Sequence, residues 1–157
     1  MKRILLTPSL TAVALVFLVG TGNALLPDFT REELILRSEG IVLGTVQDVH
    51  SAWAEDRSQI FTYVTLEVQD QFKGQPVSRE FTIQIPGGTV DEITQWVSDT
   101  PTMIVGTKVI VHTFMKETGY PWIYGWEKGV LAVEDGVIPE YNMTLEQFRS
   151  LVETTTK

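Results

Sequence analysis

The chain has no cysteine and only two histidines, His50 and His112. Without cysteine there is no disulfide framework, no thiol nucleophile, no cysteine zinc site and no lipidated N-terminal cysteine. Two histidines can hold a transition metal only if carboxylates converge on them. Asp48, Glu55 and Asp56 lie near His50 in sequence. The plainer reading sets both histidines on the wet faces of strands, and neither a metal nor another cofactor is expected. Basic residues are also scarce: 12 Lys and Arg stand against 20 Asp and Glu, for a net charge of −8. That field repels phosphate backbones and anionic lipid surfaces, which argues against nucleic acid as a partner.

Signatures of catalysis are missing as well. No serine sits in Gly-x-Ser-x-Gly. Pro86-Gly87-Gly88 follows an apolar run but lacks the Lys and Ser/Thr of a phosphate loop, so it reads as a tight turn. The adjacent acids Glu55-Asp56, Asp91-Glu92 and Glu134-Asp135 fall in loops and turns. A glycosidase instead needs two carboxylates flanking a cleft. The chain is therefore expected not to be an enzyme.

What is present begins with Met1-Lys2-Arg3, an apolar run over Leu10–Gly20 and the small residues Gly22 and Ala24. A basic start, a short apolar segment and a small-x-small site make a secretory signal peptide over 1–24. The apolar run falls short of the roughly 20 residues that a membrane-spanning helix needs. The expected location is therefore secreted or periplasmic, with no membrane span after cleavage. Removing 1–24 takes away Lys2 and Arg3 and no acid, which moves the net charge from −8 to about −10. Residues 25–157 are expected to form one domain, long enough to build a core without disulfides.

Thr30 with Glu33, and Thr144 with Gln147, are capping boxes that predict a short first helix and a C-terminal helix over 144–154. Between them, Ile41–Ser51, Gln59–Phe72, Arg79–Ile85 and Thr107–Met115 read as strands, with Trp122–Trp126 as a short aromatic one. In the second strand Thr62, Val64, Leu66 and Val68 alternate with Tyr63, Thr65, Glu67 and Gln69, the pattern of a sheet with one wet face. Gly44 predicts a bulge or a close backbone approach. Residues 89–106 show no clean period and read as a long connection. Glu134-Asp135-Gly136 between Val130–Val133 and Val137–Ile138 predicts a hairpin. Short strands with helices only at the ends predict a mainly β fold, a small barrel or sandwich.

Several short motifs carry a resemblance. Gly40–Val46, Trp53, Phe61–Val64, Phe72-Lys73-Gly74, Pro86–Gly88, then Pro101, Gly106 and Lys108, and Gly125, Lys128, Gly129 and Val133 resemble a family of small exported prokaryotic proteins of unknown function. The strand order and the Lys-Gly turn are also similar to netrin-like barrels, including the domain of tissue inhibitors of metalloproteinases. The resemblance implies an OB-like antiparallel barrel, closed or partly open, of about six strands. It does not carry over the inhibitory chemistry: those inhibitors use an N-terminal cysteine, and this chain has Leu25-Leu26-Pro27 at the expected cut and no cysteine.

The segment Tyr120–Trp126 is the most informative. As a strand it would set Trp122, Tyr124 and Trp126 on one face. These rings are either core or an exposed stacking surface. With Trp53 and Trp96 they are the candidate ligand-binding residues. The leading expectation is an exported binding module for a protein partner. Carbohydrate binding on the aromatic face is the first alternative. Protease inhibition by a loop within 86–101 is the second.

Overall fold

Each helix starts at a threonine that exchanges hydrogen bonds with a side chain three residues on. For α1 (Arg31–Arg37), the Glu33 N–H donates to Thr30 Oγ1 at 3.1 Å and the Glu33 carboxylate accepts from the Thr30 N–H at 3.0 Å. For α2 (Leu145–Thr155), the Gln147 N–H donates to Thr144 Oγ1 at 3.2 Å and Gln147 Oε1 accepts from the Thr144 N–H at 2.9 Å. Both predicted helices are present. The structure, a computed structural model, describes residues 29–157 except Thr118. The predicted signal peptide over 1–24, and Leu25–Asp28, lie outside the described residues.

Between the helices run β1 (Gly40–Trp53), β2 (Ile60–Lys73), β3 (Glu80–Pro86), β4 (Gly88–Val90), β5 (Ile93–Gln95), β6 (Lys108–Met115), β7 (Pro121–Ile123), β8 (Val130–Ala132), β9 (Val137–Ile138) and β10 (Met143–Thr144). The main sheet is antiparallel, in the order β3-β2-β1-β6-β7, and β8 also pairs with β6. β7 and β8 share one edge of β6, meeting Thr113–Met115 and Val109–Val111 respectively. β1 serves both β2 and β6, and three register shifts along its ladder with β2 add twist. Gly44 sits at one of these shifts. A Cβ there would lie 2.8 Å from the Glu67 carbonyl oxygen, so the predicted close approach is real. Lys73 turns the chain and also caps α1, donating to the Ile35 and Leu36 carbonyls at 2.6 and 2.9 Å. Burial lowers its pKa.

Of the expected closed or partly open barrel, the closed form is not what forms. The sheet curls until β3 and β7 run close together, but no backbone ladder joins them. The cause is the shortness of β7. Gly125 and Trp126 take left-handed conformations, φ 79° and 56°, and turn the chain into a 3-10 segment, Trp126–Gly129. The predicted aromatic strand therefore ends at Ile123. Gly129 has no room for a side chain: a Cβ would fall 1.8 Å from the Tyr124 carbonyl oxygen.

Three other expectations change. Residues 89–106 are not without period, since β4 and β5 form a small hairpin. The Asp135-Gly136 turn is made, with Glu134 and Val137 exchanging both backbone hydrogen bonds at 2.9 and 2.8 Å, but the flanking strands part, β8 to β6 and β9 to β10. Finally, the wet face of the central strands is only partial: Gln47, Asp48 and His50 of β1 and Gln69 of β2 are exposed, but elsewhere these two strands are covered on both sides. Val42, Val46, Val64, Leu66, Ile83, Val109 and Val111 fill an inner core inside the curl. Ile41, Leu43, Ile110, Leu131 and Ile138 form an outer core under α1 and α2, with Ile35, Phe148 and Val152. His112 lies on the outer side and is 0% exposed, so its expected place on a wet face is corrected.

Candidate functional site

The aromatic residues singled out in the sequence do meet, though not on a flat strand face. Trp122 stands on β7 opposite Phe114 of β6. Tyr124 follows past the end of the strand, and its ring meets Phe114 edge-on at 6.0 Å and Phe29 at 5.6 Å. The left-handed turn at Gly125 then swings Trp126 back toward them. All three line one cavity of about 200 Å³, together with Phe29, Phe114, Lys116, Gln84, Ile85, Pro86 and Pro101. The cavity opens along the seam between β3 and β7, where the sheet fails to close. Its floor is fixed by polar contacts that the sequence does not advertise. Gln84 is 3% exposed; its Oε1 accepts from Trp122 Nε1 at 2.8 Å and its Nε2 donates to Tyr63 Oη at 3.1 Å. Phe61 buttresses the outer side of Trp122 edge-on at 5.8 Å.

Lys116 is the only charged residue in this lining among the described residues. Its ammonium lies 4.9 Å from the Trp122 ring centroid and 6.0 Å from that of Phe114, within cation–π range. Among the described residues no acid contributes to the lining.

The other two candidates lie elsewhere. Trp53 ends β1, half-buried, opposite Ile60. Trp96 is 81% exposed and follows β5 on the wall of a second, wider depression of about 460 Å³. Ile85, Pro86 and Pro101 are common to both depressions and form the ridge between them. Hydroxyls of the second depression pair among themselves, Ser51 with Thr62 and Thr89 with Thr94, each at 3.0 Å.

The histidines do not converge. His50 is exposed, with Nδ1 2.6 Å from an Asp48 carboxylate oxygen and its ring stacked on Tyr63 at 5.5 Å. His112 is sealed in the outer core. Its Nδ1 lies 3.2 Å from the Gly129 carbonyl, and its Nε2 has no partner. Burial, opposed by that hydrogen bond and reinforced by the charge of Lys73, pulls its pKa down to about 4. Among the described residues no group of three or more His, Asp or Glu is placed to hold a metal ion.

Sequence reasoning missed Phe29, Gln84, Phe114 and Lys116. A signal for two of them existed: Lys116 follows β6 two positions after Phe114, the spacing that puts side chains on one face of a strand. Gln84 gave none, because its partners come from other strands. Among the described residues the cavity offers dispersion, ring contacts and one ammonium, with no carboxylate to pair with it. Compared with protein families, curated proteins and solved structures, the chain matches none.

Proposed function

We propose that this chain is an exported, non-enzymatic binding module whose aromatic cavity seats one apolar side chain of a partner protein. The observation that carries this reading is the cavity itself: aromatic walls, proline rims, about 200 Å³ and, among the described residues, no carboxylate. Sites for drug-sized ligands run to roughly 300–1,000 Å³, while an apolar cavity near 150 Å³ takes a single benzene ring. A single large side chain is the natural occupant, as at the anchor positions of protein interfaces.

A sugar ring favours a flat platform. Here the rings of Phe114 and Tyr124 meet at 88°, so they form walls rather than a platform. Among the described residues the lining holds no carboxylate to pair with Lys116, which favours binding over turnover. Among the described residues no helix is long and apolar enough to cross a membrane. Residues 1–24 are read as the signal that directs export. The curled sheet, with β1 shared between β2 and β6, is read as a partly open OB-like barrel akin to the small exported proteins it resembles.

The test immobilises the exported protein and passes the host's own extracytoplasmic proteins over it, with Tyr124→Ala in parallel. A stoichiometric partner held by the native chain and lost by a folded Tyr124→Ala variant supports the reading. Equal retention by both moves the interface away from the cavity. No retained protein, together with a tryptophan emission shift on adding oligosaccharide, would replace the reading with the carbohydrate one.

A further inference from the structure

We infer that the partner's anchor is a C-terminal residue: a large apolar side chain in the cavity with its free α-carboxylate on Lys116. The inference rests on the binding reading above and specifies its ligand. Three observations converge on it. First, the chain carries 20 acidic residues and a net charge of −8, yet among the described residues the only charge lining the cavity is one ammonium. Second, that ammonium makes no ion pair among the described residues and is held over the Trp122 and Phe114 rings at 4.9 and 6.0 Å. It therefore lies in the cavity lining, beside whatever fills the cavity. Third, the cavity has room for about one ring, and its walls rise on several sides: Phe29 from before α1, Gln84 to Pro86 from β3, Pro101 from the connection after β5, and Tyr124 to Trp126 from the turn after β7. A chain end enters such a walled space with one backbone exit, whereas a mid-chain residue needs two.

Charge complementarity decides the chemistry of the end. An anionic ligand approaching a protein of net charge −8 meets general repulsion, so it gains only where the local sign is reversed, as it is at Lys116. A carboxylate–ammonium hydrogen bond is among the stronger polar contacts available at a partly desolvated rim. The side chain supplies affinity by apolar burial, and the carboxylate supplies selection for the terminus.

The probe is a hexapeptide of Gly and Ser ending in Phe, in three forms: free acid, C-terminal amide, and free acid with Ala in place of Phe. Binding to the native protein is followed by NMR at the Trp122 indole N–H. The free acid should bind roughly tenfold more tightly than the amide. That advantage should shrink with added salt and vanish in Lys116→Gln, an exposed position where the fold is retained. The Ala peptide should not bind. If the acid and amide with Phe bind equally, the carboxylate inference is overturned and the anchor reading stands. If no Phe peptide moves the Trp122 signal, both are overturned.

Discussion

The two apolar cores of this protein share the same central strands and end differently. The outer core is sealed. α2 lays Phe148 and Val152 against it, Phe72 meets Phe148 edge-on at 5.2 Å, and Arg149 lies 4.8 Å over Phe72 while pairing with Asp70. The inner core is closed only by the curl of the sheet, and the curl stops short at β3 and β7. The sealed side buries even a histidine. The unsealed side leaves an aromatic cavity. The difference teaches where to look for each property: stability should be concentrated under the helices and recognition at the seam.

The largest effect should come from emptying the sealed side. Phe148 is fully buried and touches Phe72, His112 and Tyr141. Phe148→Ala should cost about 3–5 kcal/mol in urea unfolding, as large-to-small changes in tight cores do. A loss below about 1 kcal/mol would mean that α2 does not seal this face, and the comparison would fail.

The second effect is a pH dependence. His112 is neutral and unexposed when folded, with its pKa pulled from 6.5 to about 4, chiefly by burial. The unfolded chain takes up this proton first. The stability tied to the neutral ring is therefore fully present above about pH 6.5 and is lost as pH falls toward 4. The full loss is on the order of 3 kcal/mol. Unfolding midpoints measured from pH 7.5 to 4 should fall for the native chain and flatten in His112→Leu. Equal slopes in both would place the acid sensitivity elsewhere.

A smaller change sharpens the same contrast. Thr144→Ala removes the N-cap of α2, the helix that seals the outer core, and should cost about 1 kcal/mol. Affinity for any ligand at the seam should be unchanged, since none of the cavity lining comes from α2.

Much of this was legible because local rules decide it. The capping boxes gave both helices, and alternation gave β2, β3 and β6 nearly to the residue. Gly44 announced its own close approach. What failed was set by distant partners. Alternation cannot tell a wet face from one covered by a helix from the other end of the chain, so His112 was read as exposed. The Tyr120–Trp126 segment has strand propensity throughout, but Gly125 and Trp126 turn it by backbone conformation. That turn is what makes a cavity of rings that a straight strand would have spread along one face. The three aromatics were found as a group; the shape they make was not.

The smallest stability effect expected belongs to Trp96, and it isolates the question of function. At 81% exposure the ring gains little from burial, so Trp96→Ala should change stability by less than about 0.5 kcal/mol. Yet it stands on the wall of the second depression, which meets the aromatic cavity at the Ile85–Pro86–Pro101 ridge. If a partner's chain runs from the cavity across that ridge, Trp96→Ala should weaken capture of the whole partner and leave the Phe hexapeptide unaffected at the Trp122 indole. If both are unaffected, recognition ends at the seam. If the variant loses several kcal/mol of stability, Trp96 is packed rather than free, and the unsealed side is smaller than the contrast between the two cores requires.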